Sequence, residues 1–393
     1  MTGASPFAHR NLAVYYAAFL CTEAAGQIQG VAVAWSVYGI NHRALDLGLV
    51  GLLLFLPSLL LVLVTGHVAD RYDRKRVVLA AAACEFLCTL SLAGIALAHV
   101  RNLPLTLAIV FVLGTASAFG TPAERTMLVS IVERSDFMRA QARYSSFREL
   151  LVIAAPALGG ALVAISEATA FLATAALLVV AMSAFFVLRV PARTQAPDRT
   201  FSLDTALDGI RFIRAHPILL GAISLDLFAV LFGGADALLP IFAIQILHVG
   251  AFGFGLLASS SSVGSTVMAF VLSHRPPHRR VGPTLLMAVA GFGIATVVFA
   301  FSRNLALSFA AFAAGGAFDM VSVVIRNALI QLNTPDEMRG RVNAVENVFI
   351  GASNQLGAFE SGTLAQFVGA VPAVALGGLA PLAVVAVWAV AFP

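Results

Sequence analysis

Gly66-His-Val-Ala-Asp-Arg-Tyr-Asp-Arg-Lys-Arg76 is a short polar stretch that separates two long apolar runs, residues 47–66 and 77–100. Apolar runs of about 18–25 residues are long enough to cross the hydrocarbon core of a bilayer as helices. The stretch therefore predicts a loop between two membrane-spanning helices. Its basic residues favour the cytoplasmic side, where Lys and Arg are enriched.

The composition of the whole chain agrees with a membrane protein. Of the 393 residues, 60% are hydrophobic and 11% are charged, and the mean hydropathy is +0.92. Soluble domains contain roughly 45–50% apolar and about 25% charged residues. Too little polar surface remains to cover a water-soluble fold of this size, so lipid must be the main solvent. The net charge of +4 does not indicate nucleic-acid binding, because the basic residues lie in short clusters between apolar runs.

Twelve apolar runs are long enough to span the membrane, which predicts an all-α polytopic membrane protein. These spans, numbered 1 to 12, cover residues 12–38, 47–66, 77–100, 103–121, 144–166, 169–188, 218–247, 251–273, 282–301, 305–325, 342–367 and 371–392. An even number of spans places both termini on the same side of the membrane. Only three of the 24 basic residues lie in the odd-numbered loops, so this side is predicted to be the cytoplasm.

One longer polar segment, Arg189 to His216, divides the spans into six and six. Its first part is typical of a linker, and apolar residues then recur at helical spacing from Leu203 to Ile213. We expect this second part to form an amphipathic helix on the cytoplasmic membrane surface. The predicted domains are an N-terminal six-helix bundle, a cytoplasmic linker with this helix, and a C-terminal six-helix bundle, over residues 1–190, 191–217 and 218–393.

The two halves share a weak internal repeat. Gly51-Leu-Leu recurs as Gly255-Leu-Leu, a shift of 204 residues, and Arg125 corresponds to Arg326 at a shift of 201. A nearly constant shift along the chain is expected of a duplicated six-helix unit. Repeated halves with a binding site at the membrane midplane between them are a transporter architecture.

The loop after span 2 carries an ordered motif: glycine, then Ala-Asp-Arg, then Arg-Lys-Arg, over residues 66–76. This order resembles the signature loop of the major facilitator superfamily. The resemblance implies two six-helix bundles that transport by alternating access, with the motif as a gating loop. The gating residues are then Gly66, Asp70, Arg71, Arg74 and Lys75.

The family gives the aspartate of this motif a specific role. Here Asp70 would lie under the N-terminus of span 11 and favour the outward-open state. A carboxylate near a helix N-terminus is stabilised by roughly 0.3–1 kcal/mol through its interaction with the helix dipole. Asp73 stands where the family most often has glycine, a departure that also occurs in the branch of drug and siderophore exporters.

Other stretches resemble the branch that contains the enterobactin exporter and drug-efflux proteins, among them Thr121-Pro-Ala-Glu-Arg125 and Ser224-Leu-Asp-Leu-Phe228. In span 5, Pro156, Gly159 and Gly160 match the end of the family's antiporter motif. Proline and small residues there imply a kink and close helix contacts, with ordinary helix packing as the alternative. The arginine motif expected in span 4 is absent, which weakens the match to the family's usual proton-transfer arrangement.

Several ionisable residues lie within the spans, where each costs roughly 2.5–3.5 kcal/mol to insert. Glu23 in span 1 precedes Gln27 by one turn, Asp226 occupies the corresponding place in span 7, and Asp319 in span 10 precedes Arg326 by seven residues. The family resemblance places spans 1, 4, 7 and 10 around a central cavity. These five residues are therefore predicted to form the proton-coupling and substrate site, or alternatively paired structural groups.

Two further carboxylates, Glu346 and Glu360, lie in span 11, where the resemblance brings the two halves together. A gating role and a packing role at this interface are both open. No nucleophile–base pair, ATP-binding loop or metal-ligand motif is found, so neither enzyme activity nor a cofactor or metal is expected. The proton gradient is the predicted energy source.

The sequence thus predicts a secondary active transporter: a proton-coupled antiporter that exports a small amphiphilic molecule, such as a drug or a secreted siderophore. Three carboxylates against one arginine favour a neutral or cationic substrate. The alternatives are a metabolite importer or facilitator, a lysolipid flippase of the same fold, or a transport-dead membrane sensor or scaffold. The chain is rich in Arg and Ala, which suggests that it comes from a GC-rich bacterium. We therefore expect the inner membrane, where the chain would act as a monomer.

Overall fold

The computed structural model describes residues 6–61, 64, 65, 68, 71–133, 135–190, 203–275 and 280–392. Within these ranges the regular structure is entirely helical. The helices, numbered α1 to α13 in chain order, cover Pro6–Asn41, Ala44–Leu60, Arg74–Leu97, Leu103–Ile131, Phe137–Ile165, Glu167–Val187, Leu203–Ala215, Pro217–Phe232, Gly250–His274, Val281–Phe301, Leu305–Asn333, Asp336–Val368 and Ala370–Ala391. The gating-loop residues Gly66 and Asp70 lie outside the described residues.

Nine of the described helical segments are long and apolar enough to cross a membrane, counting Pro217–Ile246 as one segment. The apolar helix α2 is shorter, with 17 residues. The chain is a multi-pass membrane protein, as its composition indicates. Spans 1–6 correspond to α1–α6, span 7 to α8 and its continuation, and spans 8–12 to α9–α13. The total of twelve spans and the cytoplasmic location of both termini stay predictions.

Several helices are longer than the apolar runs that predicted them. Span 4 was expected to end at residue 121, but α4 continues to Ile131, and α5 begins at Phe137 rather than at residue 144. Hydropathy detects only the part of a helix that is suited to lipid. Polar turns beyond the apolar part can continue the helix, since its backbone hydrogen bonds do not depend on apolar side chains.

The span predicted over residues 218–247 is present as the apolar segment Pro217–Ile246, but it is not one continuous α-helix. Helix α8 ends at Phe232, and a 3₁₀ turn over Ala235–Leu238 follows, then a short turn and a π-helical turn over Phe242–Ile246. The break lies at Gly233 and Gly234, and glycine is unfavourable inside a helix. A Cβ at Gly233 would lie 2.6 Å from Cε1 of Phe292, so only glycine fits at this point.

The chain forms two compact units. Unit 1 comprises Met1–Ile40 and Leu53–Phe201, and unit 2 comprises Asn41–Leu52 and Ser202–Pro393. Unit 1 has a core of fully buried side chains from α1, α4 and α6, among them Tyr15, Met127 and Phe185. The boundary residues proposed from the sequence for the two six-helix bundles stay a prediction.

In unit 1, small residues allow α5 to lie close to α1. A Cβ at Gly159 would lie 3.2 Å from both Cα of Ile28 and Cβ of Val31. Pro156, Gly159 and Gly160 are all buried, and α5 continues as one helix through Pro156. A kink at this proline therefore stays a prediction, whereas the close helix contact is observed.

In unit 2, α9 and α11 approach even more closely. A Cβ at Gly316 would overlap the carbonyl oxygen of Ser261, and one at Gly264 would overlap that of Ala313. Such contacts between glycine and backbone let membrane helices pack at short range, where van der Waals attraction is strong.

The amphipathic helix predicted after the linker is present as α7, and its expected place on the membrane surface stays a prediction. Ile213 is 3% exposed and packs in one cluster with Leu219, Ile330 and Val345 of α8, α11 and α12. A Cβ at Gly209 would lie 2.9 Å from the carbonyl oxygen of Arg341, so the helix backbones are in close contact. The apolar face of α7 is thus covered by unit 2, because this unit offers an apolar surface that needs burial.

Candidate functional site

Three charged side chains meet in the interior of unit 2. Arg326 of α11 forms an ion pair with Asp226 of α8, and its Nε donates a hydrogen bond to Oε1 of Glu346 on α12 over 3.0 Å. Arg326 is 3% exposed and the two carboxylates are 6% exposed. We call these three residues the charge triad. Two carboxylates share one guanidinium, so the triad carries one excess negative charge when all three groups are ionised.

The surroundings of the charge triad are mainly apolar. Ile223, Leu227, Phe349 and Ile350 pack around it, with Ser353 as a polar neighbour. Ionic groups in such a place are tolerated only when they are paired and hydrogen-bonded. Intramembrane charges that meet this condition are typical of functional sites in membrane proteins.

The sequence identified Asp226 and Arg326 as site residues but assigned Glu346 to the interface between the halves. The structure places Glu346 in the charge triad instead, because Val345 and Glu346 lie on the side of α12 that is buried within unit 2. The other carboxylate proposed for that interface, Glu360, lies fourteen residues later on α12, and its Oε2 accepts a long hydrogen bond of 3.4 Å from Ser361.

Asp319 stands one heptad before Arg326 on α11 and is partly buried. It makes no ion pair and no hydrogen bond with any residue that the structure describes. The guanidinium of Arg326 is bound to the carboxylates of α8 and α12 instead. Asp319 is thus a carboxylate in a membrane helix without a basic partner of its own.

In unit 1 the predicted pair on α1 is in contact. Nε2 of Gln27 donates to Oε1 of Glu23 over 3.1 Å, as their spacing of one turn indicated. Nε of Arg148 on α5 approaches the same oxygen to 3.9 Å, an approach that the sequence did not reveal. Glu23 therefore has a cation nearby, although this arginine is nearly half exposed.

A further buried carboxylate, Glu124 of α4, was missed by the sequence analysis. Its Oε1 is buried and has no hydrogen-bond partner among the described residues. The apolar run that predicts span 4 ends at residue 121, so its hydropathy does not reveal that Glu124 lies in the helix.

The described part of the gating loop binds the ends of three helices of unit 1. Asp73 is the N-cap of α3, and its carboxylate accepts hydrogen bonds from the backbone N–H groups of Lys75 and Arg76 over 2.8 and 3.3 Å. This role explains the departure from glycine at this position, because aspartate is a favoured N-cap. Arg71 is exposed.

The two basic residues that follow bind carbonyl groups at helix C-termini. Arg74 donates to the carbonyl of Thr126 and to the hydroxyl of Ser130, both near the end of α4. Nζ of Lys75 donates to the carbonyls of Phe186 and Leu188 at the end of α6, over 2.6 and 3.0 Å. Cations at helix C-termini satisfy unpaired carbonyls and interact favourably with the helix dipole.

A bundle of membrane-spanning helices with paired charges in its interior is the construction of a transporter. The sequence profile of the Major Facilitator Superfamily matches residues 15–358. The chain belongs to this family. It is therefore a multi-pass transporter of the bacterial inner membrane, and members of this family are not enzymes.

The similar proteins of known function are of the efflux type. The multidrug efflux pump Tap of Mycolicibacterium fortuitum is 29% identical over 378 residues, which cover 91% of this chain and 90% of that protein. The enterobactin exporter EntS of Citrobacter koseri is 28% identical over 341 residues, which cover 85% of this chain and 80% of that protein.

Solved structures of transporters share the fold at low sequence identity. A mutant of the nucleoside transporter NupG aligns with a TM-score of 0.78 and 12% identity, over 97% of this chain and 100% of that one. A bacterial homologue of the human lysosomal transporter Spinster, in an inward-facing and unoccupied conformation, aligns with a TM-score of 0.75 and 15% identity, over 99% and 96% of the two chains.

Proposed function

We propose that this transporter is a proton-coupled antiporter that exports a small amphiphilic molecule by alternating access. The observation that carries the proposal is Asp319, a carboxylate in a membrane helix without a basic partner among the described residues. The nearest arginine along its helix, Arg326, is bound to Asp226 and Glu346. Asp319 is thus free to bind and release a proton without breaking an ion pair.

The coupling step is the protonation of this carboxylate. A proton removes its charge, and an environment of low polarity disfavours the charged form. Exchange of a proton for a substrate requires that the proton affinity differs between the two facings of the transporter. We assign this role to Asp319 and assign the charge triad to holding α8, α11 and α12 in one arrangement.

The charges favour a neutral or cationic substrate. Close to Arg326, unit 2 carries the carboxylates of Asp226, Glu346 and Asp319. Because two carboxylates already bind this guanidinium, it is not available to an anionic substrate. A region with excess negative charge and low dielectric attracts cations more strongly than the same charges would in water. We expect apolar contacts to supply most of the affinity, with a few polar anchors such as Gln27.

Purified protein in liposomes tests the coupling. Ethidium, a lipophilic cation, serves as the probe, and an imposed pH gradient should drive its movement in the wild-type protein. Asp319→Asn should abolish gradient-driven movement and leave ethidium counterflow without a gradient intact. Asp336→Asn is the control, since Asp336 is 85% exposed at the start of α12.

The result separates this proposal from its alternatives. Full gradient-driven transport by Asp319→Asn would show that another group carries the proton. Counterflow without any gradient dependence in the wild type would favour a facilitator or importer. Movement of labelled lysolipid instead of ethidium would favour a flippase, and absence of all flux would favour a sensor or scaffold.

The charge preference is tested in a bacterial strain that lacks its main efflux pumps. Expression of the transporter should protect against lipophilic cations and not against acidic compounds of similar size. Protection limited to the acidic compounds would refute the cation preference while leaving the export proposal in place. We further propose that the monomer is functional, which size-exclusion chromatography with light scattering on the active protein would check.

A further inference from the structure

Glu124 of α4 is a partly buried acidic side chain, and one of its carboxylate oxygens is fully buried. Its Oε1 has no donor within hydrogen-bond distance in the part of the chain that the structure describes. Buried carboxylate oxygens with a structural role almost always accept a hydrogen bond. An oxygen without one therefore requires a functional explanation.

The neighbouring polar side chains of unit 1 are, by contrast, paired. Oε1 of Glu85 accepts from Ser117 over 2.8 Å, Oε1 of Glu23 accepts from Gln27 over 3.1 Å, and Oγ1 of Thr89 accepts from Gln29 over 3.0 Å. Polar side chains near Glu124 thus find hydrogen-bond partners on their own or a neighbouring helix. Glu124 is an exception within this set.

Aromatic and charged groups from four helices, α1, α3, α4 and α5, lie around Glu124. Tyr15 of α1 is fully buried, and its hydroxyl lies 3.5 Å from the backbone carbonyl of Glu124, so it does not bind the carboxyl group. Tyr144 of α5 stacks on Tyr15 with ring centroids 6.5 Å apart. The charged or acidic groups close enough to interact electrostatically with Glu124 or these tyrosines are Glu23 of α1, Glu85 of α3, Arg125 of α4 and Arg148 of α5.

The position of Glu124 suits a group that exchanges protons with one side of the membrane. It lies two turns before the end of α4 at Ile131. It also lies two turns beyond Ser117, the partner of Glu85, which corresponds to about 10 Å along the helix axis. Two of the nearby groups are carboxylates, and the one cation on its own helix, Arg125, is exposed.

We infer that Glu124 is a proton-carrying residue of unit 1, which binds a proton from water on one side of the membrane and releases it during the transport cycle. The inference rests on the proposed proton coupling and adds a second carrier to Asp319 of unit 2. The carboxylate takes up one proton to become the neutral acid, and the same proton leaves to water when the transporter changes its facing. No other bond forms or breaks.

Infrared spectroscopy of the purified protein tests this inference without any substrate. The carbonyl stretch of a protonated carboxylic acid is distinct from that of a carboxylate. The wild-type protein should show acid bands that disappear from mildly acidic to mildly alkaline buffer, and Glu124→Gln should lose one component of them, which Asp319→Asn should keep. Glu133→Gln, which alters an exposed glutamate just beyond the end of α4, should keep it.

The transport assay supplies a second readout. Glu124→Gln should lose ethidium movement driven by a pH gradient and retain counterflow without a gradient, which also shows that the variant is folded. Glu124→Asp keeps a carboxyl group and should recover part of the gradient-driven movement. If the pH gradient still drives full ethidium movement in Glu124→Gln, the inference is overturned while the coupling proposal stands.

If the wild-type protein itself shows no gradient-driven transport, the coupling proposal fails. The infrared measurement then decides the inference by itself. A titrating acid band that is missing only from Glu124→Gln identifies Glu124 as a group that exchanges protons. Identical spectra of the wild type and Glu124→Gln across the pH range overturn the inference.

Discussion

Arg326 donates a hydrogen bond from Nε to Oε1 of Glu346 over 3.0 Å, which joins α11 to α12 in the interior of unit 2. The same guanidinium forms an ion pair with Asp226 of α8. One side chain therefore connects three helices that are otherwise held by apolar packing. Loss of this cation would leave both carboxylates without a counter-charge.

Arg326→Leu should strongly destabilise the protein, because it leaves two buried carboxylates without a counter-charge. Breaking a buried ion pair by removing one partner costs about 3–5 kcal/mol. The midpoint of thermal unfolding in detergent measures the effect. Arg139→Leu is the control, since Arg139 pairs with Asp136 at the surface with side-chain exposures of 85% and 46%, and we expect little change. Equal midpoints for the two variants would contradict a stabilising triad.

Gly316→Ala should prevent normal packing of α9 on α11. The added methyl group would overlap the carbonyl oxygen of Ser261, and backbone cannot move aside as a flexible side chain can. We expect overpacking to cost about 1–3 kcal/mol or more. Gly30→Ala in α1, where the methyl group meets nothing within 4 Å, is the matched control. Comparison of monodisperse yield and thermal unfolding would decide, and unchanged behaviour of Gly316→Ala would show that the helices are further apart.

Asp73→Ala should lower the stability of α3 by removing its N-cap. Such a loss costs about 0.5–2 kcal/mol, whereas Asp73→Asn retains a side-chain oxygen and should be nearly neutral. Hydrogen exchange of the first turn of α3, measured by mass spectrometry, reports the local effect. Faster exchange in the alanine variant alone is expected. If exchange is faster than in the wild type, and equally so, in both variants, the charge and not the capping oxygen matters at this position.

Ile213→Ala should destabilise unit 2, because Ile213 is buried among side chains of α8, α11 and α12. Truncation of a buried isoleucine to alanine costs about 2–5 kcal/mol. Leu207→Ala, on the same helix but 44% exposed, should have little effect. If α7 lay on the lipid surface instead, Leu207 would matter for membrane contact and Ile213 would not be special. The order of the two unfolding midpoints distinguishes these arrangements.

Much of the fold could be predicted because the hydrophobic pattern of a membrane helix is local. The apolar runs located α1–α6 and α9–α13, and helical periodicity located α7. The break after Phe232 could not be read in this way, since Gly233-Gly234 lies in an apolar run, and the space beside Gly233 is limited by Phe292 of α10. The docking of α7 was missed because its covering surface is built from three helices, two of which are distant in sequence.

In the candidate site, too, contacts within one helix could be predicted and contacts between helices could not. Glu23 and Gln27 were expected to touch, and they do, because a spacing of four residues fixes their proximity on one helix. The partners of Arg326 lie 100 residues before it and 20 residues after it, and only tertiary packing brings them together. Sequence spacing places Asp319 and Arg326 on one helix, but it does not reveal partners that lie on other helices.

The docking of α7 has a consequence for how the polypeptide can be cut and joined. Since Ile213 and Gly209 attach α7 to unit 2, the covalent connection from unit 1 needs to reach only from Val187 to Leu203, and not to the start of α8. A protease site inserted between residues 191 and 200 would leave α7 with the C-terminal fragment. Two fragments produced from separate genes, divided at that point, should therefore reassemble in the membrane, with α7 accompanying the second fragment as part of its folded body.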